Sequence, residues 1–325
     1  MIDRKDAAVG VIGVGRMGQY HAGAYAEMQN VTLAGVFDTD QLLCSEVAKK
    51  FRSRSCQSID ELLDLVDIVS IATPTRLHYE IAKYCLEAKV HVLVEKPITD
   101  NLEAAESLFK LAKQLNLELH VGHIERFNGA VQELKKVVHN PLIIEMRRMG
   151  PFDPRVQDGV ILDLLIHDID ILLNLIDSDI KSIHGFSSAI ETDKEDVANV
   201  QFLFENGCIA NLIARRMTQE KVRTMSITQK EAYIVLDFAY QNILVHRNAT
   251  TVHEMQAAEL KYRQEQVIER IFVHRDNPLK LELRHLVDCA IYNKERNTSV
   301  ENELRSLKVA LSVLEKIEHI ENKFR

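Results

Sequence analysis

For its first 120 residues the chain alternates two patterns. Apolar runs of five to seven residues, at 9–14, 31–37, 67–72, 90–94 and 117–121, are separated by stretches whose apolar positions recur at helical spacing, at about 16–28, 41–51, 78–88 and 101–114. A short unbroken apolar run suits a strand buried on both faces. Strand alternating with helix predicts a parallel sheet with helices on both sides. The punctuation agrees. Ser58 caps a short helix in "SIDELL", Thr73-Pro74 stops the third run, and Glu95-Lys96-Pro97 closes the fourth.

Beyond residue 122 the pattern changes. A connecting helix is predicted over 127–138 and a strand over 142–148. The segment "GVILDLLIHDIDILLNLI", 159–176, has helical apolar periodicity. Strand-like runs then follow one another at 183–190, 197–205, 208–215, 224–228, 232–237 and 242–246, with Asn206-Gly207 a strong hairpin signal. Two helices are predicted near 278–292 and 300–320. The expected fold class is α/β plus α+β. A doubly wound parallel sheet forms domain 1–124, and a large, mostly antiparallel open sheet forms domain 125–325, with the last helices packing back on the first domain.

Composition narrows the function classes. A chain of 325 residues suits two domains. The net charge is −8, and Lys and Arg form no basic stripe, so nucleic acid is not an expected partner. No apolar run is long enough to span a membrane. The opening "MIDRKD" has charges with no apolar core behind them and does not read as a signal peptide. Cys44, Cys56, Cys85, Cys208 and Cys289 are odd in number and share no CxxC spacing. They read as buried thiols of a cytoplasmic protein, with neither disulfide nor zinc site.

The first candidate chemistry is Gly13-x-Gly15-x-x-Gly18, between the first strand and its helix. That is where a dinucleotide fingerprint must lie. Gly13 allows the tight turn, Gly15 lets backbone approach a pyrophosphate, and Gly18 lets the helix pack close. The helix start, with Arg16 and Met17, offers free N–H groups and a positive dipole end to phosphates. Asp38 ends the second strand, twenty residues after Gly18. A carboxylate there accepts both ribose hydroxyls and repels a 2′-phosphate, so the expected cofactor is NAD rather than NADP.

Lys96 ends the fourth strand, and open α/β sheets bind ligands at the carboxyl ends of strands. Its ammonium can donate to an alcohol or alkoxide. It could equally be a surface lysine at a strand end. Asp163 and His167 are four apart in a helical stretch and share a face. There a carboxylate can orient an imidazole that takes a hydroxyl proton. A core hydrogen-bonded pair is the alternative. A metal site using Asp168 and Asp170 is disfavoured, because these point to other helix faces. His123 and Arg126, after the fifth strand, should border the same cleft. His21, His120, His184, His246, His253, His274 and His285 show no pairing in the sequence.

Taken in order, Gly13-x-Gly15-x-x-Gly18, "ATPTRLH" (72–78), "VEKP" (94–97), "GHIERFN" (122–128) and "DLLIH" (163–167) resemble the glucose–fructose oxidoreductase/inositol dehydrogenase (Gfo/Idh/MocA) family over essentially the whole chain. The resemblance implies a Rossmann domain and a second domain whose open sheet commonly forms the oligomer interface, giving a homodimer or homotetramer. It implies that Lys96 and His167 are the catalytic pair and that Asp163 supports His167 and the substrate. It also implies that Thr73, Pro74, His78 and Glu95 line the nicotinamide half of the cofactor, and that Arg126 faces the substrate. Many members have Gly where this chain has Leu165, which removes space near the site and argues against a free-sugar substrate. Members often read "RFNP", and here Gly129 replaces the proline. "GHIERFN" with "DLLIHDIDIL" looks most like the subgroup that oxidises UDP-N-acetylglucosamine at its 3-hydroxyl, making a 3-keto sugar for an aminotransferase on the way to amino-sugar lipid A. A free-sugar or inositol dehydrogenase and a non-catalytic NAD-binding sensor are the competing functions.

Overall fold

The computed structural model describes residues 6–248, 252–256, 259–263 and 266–320. The described chain divides into two compact units. The first takes the residues up to Phe127 together with Asp276–Leu311, and the second takes Asn128–Arg275 and the residues from Ser312 on.

In the first unit β1 (Ala7–Ile12), α1 (Arg16–Ala26), β2 (Val31–Phe37), α2 (Gln41–Phe51), β3 (Arg54–Ser55), α3 (Ile59–Leu63), β4 (Ile68–Ile71), α4 (His78–Glu87), β5 (His91–Glu95), α5 (Leu102–Leu115) and β6 (Leu119–Gly122) follow in sequence. The six strands are parallel and lie in the order β3-β2-β1-β4-β5-β6. β4 is buried at all four of its positions, which explains the unbroken apolar run. β3 has no counterpart in the sequence pattern, because two residues at a sheet edge are too short to show a period. The order reverses between β1 and β4, so the loops after these two strands border the crevice where such sheets take ligands.

The helix ends are written locally. Asp40, Ser58 and Asn101 each accept backbone N–H bonds at the start of their helices, and Arg52 and Asn116 close α2 and α5 in the left-handed conformation. The core is completed from far along the chain. α8 (Pro278–Tyr292) packs on α1 and brings Leu279, Leu283, Leu286 and Val287, at the spacing of one helix face, into the core cluster that holds Val9, Val11, Ala22 and Tyr25.

The second unit holds α6 (Gly129–Val137), β7 (Ile143–Met149), a π-helical turn at Ile161–Leu165, α7 (Ile166–Leu175), β8 (Ile180–Ser188), β9 (Val197–Phe204), β10 (Ile209–Arg215), β11 (Val222–Gln229), β12 (Ala232–Asp237), β13 (Asn242–Asn248), the paired β14 (Val252–Gln256) and β15 (Glu259–Arg263), and β16 (Gln266–Ile271). α9 (Val300–Lys316) runs across the division at Leu311, and β17 (Glu318–His319) follows. Among the described residues nine strands form one sheet, in the order β16-β13-β12-β11-β7-β10-β9-β8-β17. Its pairs are antiparallel except β7 with β10 and β8 with β17. Buried and exposed residues alternate along β7, β9 and β12, the mark of a sheet covered on one face. The β9–β10 turn is closed by the Gly207 N–H donating to the Phe204 carbonyl, with only Gly207 of the Asn206-Gly207 pair at positive φ.

Three features differ from the sequence expectation. The predicted helix over 159–176 opens with the π turn. The helix predicted to reach 320 stops at Lys316, and β17 pairs with β8. β14, β15 and β16 lie in a stretch too polar for the pattern to mark. Among the described residues no helix is long and apolar enough to cross a membrane.

Beneath the sheet Arg148 of β7 meets Asp168 of α7. Arg148 Nε and Nη2 lie 2.8 and 2.7 Å from Asp168 Oδ1, both side chains are buried, and the guanidinium sits 5.3 Å from the Phe238 ring centre. Asp168→Ala should therefore destabilise the protein by about 3 kcal/mol or more, since a buried guanidinium loses its carboxylate. Urea unfolding checks this, and a loss below about 1 kcal/mol would contradict it.

Candidate active site

The glycine loop is built from the ends of β1 and β2. The Gly13 N–H donates to the Phe37 carbonyl at 2.8 Å, and Gly13 has φ +83°, which a side chain rarely adopts. A Cβ on Gly18 would land on the Gly13 carbonyl oxygen, so helix and loop approach as closely as only glycine permits. A Cβ on Gly15 would meet nothing within 4 Å. Gly15 caps α1 without any side-chain hydrogen bond, and the first turn carries no acidic residue. The start of an eleven-residue helix thus lies beside open space at Gly15, which fits a dinucleotide pyrophosphate. Asp38 Oδ2 accepts from the Val14 N–H at 2.7 Å and Oδ1 from the Asp40 N–H at 2.9 Å, so the carboxylate also braces the loop.

The loops after β4 and β5 are joined by His78. Its Nδ1 lies 2.8 Å from the Pro97 carbonyl oxygen, and its Nε2 lies 2.8 Å from that of Thr73. Carbonyls only accept, so the ring satisfies both when it carries both protons. Pro74 is exposed and caps the short turn Thr75–Leu77. Glu95 ends β5, and its Oε1 is 2.8 Å from Nε2 of the fully buried His21 on α1. Gly122 gives the other carboxylate oxygen room, since a Cβ there would sit 3.1 Å from Oε2. Burial alone would raise Glu95. The hydrogen bond and charge of His21, with the charges of Lys96 and His78, outweigh it and hold the carboxyl below its ordinary value. A folded-state pKa below the unfolded one makes this group stabilising at neutral pH, and the contribution is lost as pH falls through the lowered value. Lys96 is half-exposed beside this carboxylate.

After β6, His123 is buried, with Nε2 3.2 Å from Ser306 Oγ. Arg126 is held by Glu303, Nη1 to Oε2 at 3.1 Å, and donates from Nη2 to the Asn302 carbonyl at 3.2 Å. Glu303 also faces Arg296, which reaches Glu118, which accepts from His120. Burial pushes His120 down to about 4, so it is neutral at physiological pH.

In the second unit Asp163 lies in the π turn and His167 in the first turn of α7, about one turn apart in either geometry. From residue 159 to 173 only Asp163, Leu164 and His167 are not buried. The two polar residues thus share the accessible side of an otherwise buried element. Leu165 is fully buried.

The expectation that the remaining histidines are unpaired needs correction. His21 binds Glu95, His120 binds Glu118, and His285 accepts from the Asn297 N–H and lies 5.5 Å from the His120 ring centre. These partners come from distant elements and leave no trace in local spacing. The side chain of His253 lies outside the described residues. All five cysteines are buried and free, and burial raises Cys85 to about 12. Among the described residues no three His, Cys, Asp or Glu side chains gather as for a metal ion.

Comparison with known proteins matches residues 7–123 to the oxidoreductase family with the NAD-binding Rossmann fold, and residues 128–235 to the GFO/IDH/MocA C-terminal domain. The UDP-N-acetylglucosamine 3-dehydrogenase of Acidithiobacillus ferrooxidans is 41% identical over 246 residues, 75% of this chain and 78% of that protein. A solved structure of that enzyme superposes with a TM-score of 0.84 at 32% identity, covering 96% of this chain and 97% of the other. The myo-inositol 2-dehydrogenase of Thermotoga maritima is 27% identical over 221 residues, 62% of this chain and 66% of that protein.

The glycine loop separates binding from folding. Gly15→Ala should keep the melting temperature while weakening NAD about tenfold or more, because the methyl enters the open space above the helix start. Gly18→Ala should instead cost about 2 kcal/mol or more of stability through the clash with Gly13. Fluorescence titration and thermal melts check both, and the reverse pattern would refute the assignment.

Proposed function

This chain belongs to the GFO/IDH/MocA family of NAD-binding oxidoreductases, and on that premise we propose that it oxidises the 3-hydroxyl of a UDP-N-acetylhexosamine, UDP-N-acetylglucosamine first, to the 3-keto sugar. The observation that carries this substrate is the 41% identity to the UDP-N-acetylglucosamine 3-dehydrogenase across three quarters of the chain. NAD supplies the hydride acceptor when bound. Gly13, Gly15, Gly18 and the N–H groups from Arg16 and Met17 onward would hold its pyrophosphate. Asp38 would accept from the adenosine ribose and disfavour a 2′-phosphate. Thr73, Pro74, His78 and Glu95 would border its nicotinamide.

The protein's own groups manage the proton and the charge. His167 takes the hydroxyl proton on its imidazole, with Asp163 orienting the ring. The Lys96 ammonium donates to the same oxygen and stabilises the alkoxide that develops as hydride leaves carbon. His123 and Arg126 would border the sugar, with the Arg126 guanidinium held by Glu303.

The likeness to a myo-inositol 2-dehydrogenase favours a second substrate class, free cyclitols or sugars. The outer face of the nine-stranded sheet supports self-association into a dimer or tetramer. Ile209, Ile143, Thr228, Tyr233, His246 and Ile268 are register neighbours across six strands, and Ile143, Ile209, Tyr233 and Ile268 are exposed. The five free thiols suit a cytoplasmic location.

With NAD, UDP-N-acetylglucosamine and an aminotransferase plus glutamate to draw off the ketone, NADH should form. N-acetylglucosamine, UDP-glucose and myo-inositol should give little. Turnover confined to a free sugar or inositol would overturn the substrate. Lys96→Ala should lower kcat about 100-fold or more with NAD affinity kept, and equal loss of both would make Lys96 structural. Ile143→Glu should shift the light-scattering mass to that of one chain, and an unchanged mass would refute the interface.

A further inference from the structure

The element that carries Asp163 and His167 is capped from a distant loop of its own unit. The opening N–H groups of a helix have no partner within the helix. Here the Val160 N–H donates to the Glu195 carbonyl at 2.9 Å, and the Ile161 N–H donates to Glu195 Oε1 at 3.2 Å. Inside the element the Asp163 N–H donates to the Gly159 carbonyl at 2.9 Å. Gly159 lets the carboxylate come this close, since a Cβ there would land on the Glu195 carboxyl group.

The loop between β8 and β9 that presents Glu195 is tied at its base. Asp196 Oδ2 accepts from the N–H groups of Ile190, Glu191 and Thr192 at 2.8, 2.7 and 3.0 Å. Arg216, just past β10, places Nε 3.6 Å from Asp196 Oδ1 and donates from Nη2 to the Asp158 carbonyl. Glu195, Asp196 and Arg216 are all buried. Further along the element, Asp168, the neighbour of His167, is held separately by Arg148. The π turn lies between these two holds, with Asp163 inside it and His167 just beyond it. Such turns are rare and occur as single turns inside α-helices. Freed at Glu195, this one can take up α geometry, and Asp163 then shifts relative to a His167 that Asp168 keeps in place.

We propose that Glu195 is a positioning residue for Asp163 and His167: it accepts the opening N–H groups of their element, packs on Gly159, and so sets where the π turn starts. Its consequence for turnover rests on the catalytic assignment of Asp163 and His167 made above.

The test begins on cofactor-free protein. Hydrogen exchange in the peptide spanning 159–167 should speed up about tenfold or more in Glu195→Ala. In turnover with NAD and UDP-N-acetylglucosamine, Glu195→Ala should lower kcat about tenfold or more with NAD affinity within about threefold. Glu195→Gln, whose amide oxygen still accepts from the Ile161 N–H, should stay within about twofold of the original kcat. Gly159→Ala, which drives a methyl into the carboxylate, should lose about as much as Glu195→Ala, and the double variant should lose no more than either alone. A kcat within twofold of the original in folded Glu195→Ala, losses that multiply in the double variant, or Glu195→Gln no better than Glu195→Ala would overturn the proposal. Should Glu195→Ala fail to fold, Gly159→Ala decides alone, because full turnover there removes the link. Full turnover in His167→Ala would refute the catalytic role of His167, and no turnover of UDP-N-acetylglucosamine by the unaltered protein would refute the substrate. In either case the exchange measurement judges the positioning, and unchanged exchange in Glu195→Ala overturns it.

Discussion

Six parallel strands covered on both faces leave a polar side chain almost nowhere to meet solvent except at the strand ends. The interior of the first unit is accordingly apolar along β1, β4 and β5 apart from the buried Ser70, and the residues proposed for the site stand at the carboxyl edge. Gly13 follows β1, Asp38 follows β2, Thr73 follows β4, Lys96 follows β5 and His123 follows β6. None of these residues had to be placed individually. Each stands at the first or second position after a strand, where the backbone leaves the sheet.

Several buried charges are matched by an opposite partner. Glu95 is held by His21, Arg148 by Asp168, and Glu303 by Arg126 and Arg296. The alternative would be neutral groups or unpaired buried ions, each costing several kcal/mol. The pairing also fixes direction. A carboxylate tied at one oxygen is limited in how it turns, and for Glu95 the tied oxygen is Oε1. The Arg126 guanidinium is similarly set by Glu303 from α9, a helix almost two hundred residues away in sequence.

The two units use opposite solutions to the same burial problem. The first covers both sheet faces with helices. The second covers one face and leaves the other open, which is why β7, β9 and β12 alternate in burial where β4 does not. In the covering layer the element that carries Asp163 and His167 is buried apart from those two residues and Leu164. Its π turn is a local departure from the regular helix, at the position of Asp163.

Local pattern was enough to mark the strand–helix grammar of residues 7–122, the glycine loop, Asp38, Lys96 and the Asp163–His167 spacing. All of these follow from periodicity, turn chemistry or spacing within a few residues, which the linear sequence carries directly. The caps at Asp40, Ser58 and Asn101 are of the same kind. What the sequence could not carry is pairing between distant segments. His21 and Glu95 are 74 residues apart, Arg126 and Glu303 are 177 apart, and β3 exists only because β2 offers it an edge. The same holds for the π turn, since a helix widened by one residue keeps nearly the same apolar stripe, and for β17, which is a strand because β8 lies beside it. Sequence alone determined which residues could do chemistry, through residue type and local spacing. The tertiary structure decided which of them are charged, braced and aimed, because those properties depend on partners that only folding brings within hydrogen-bonding distance.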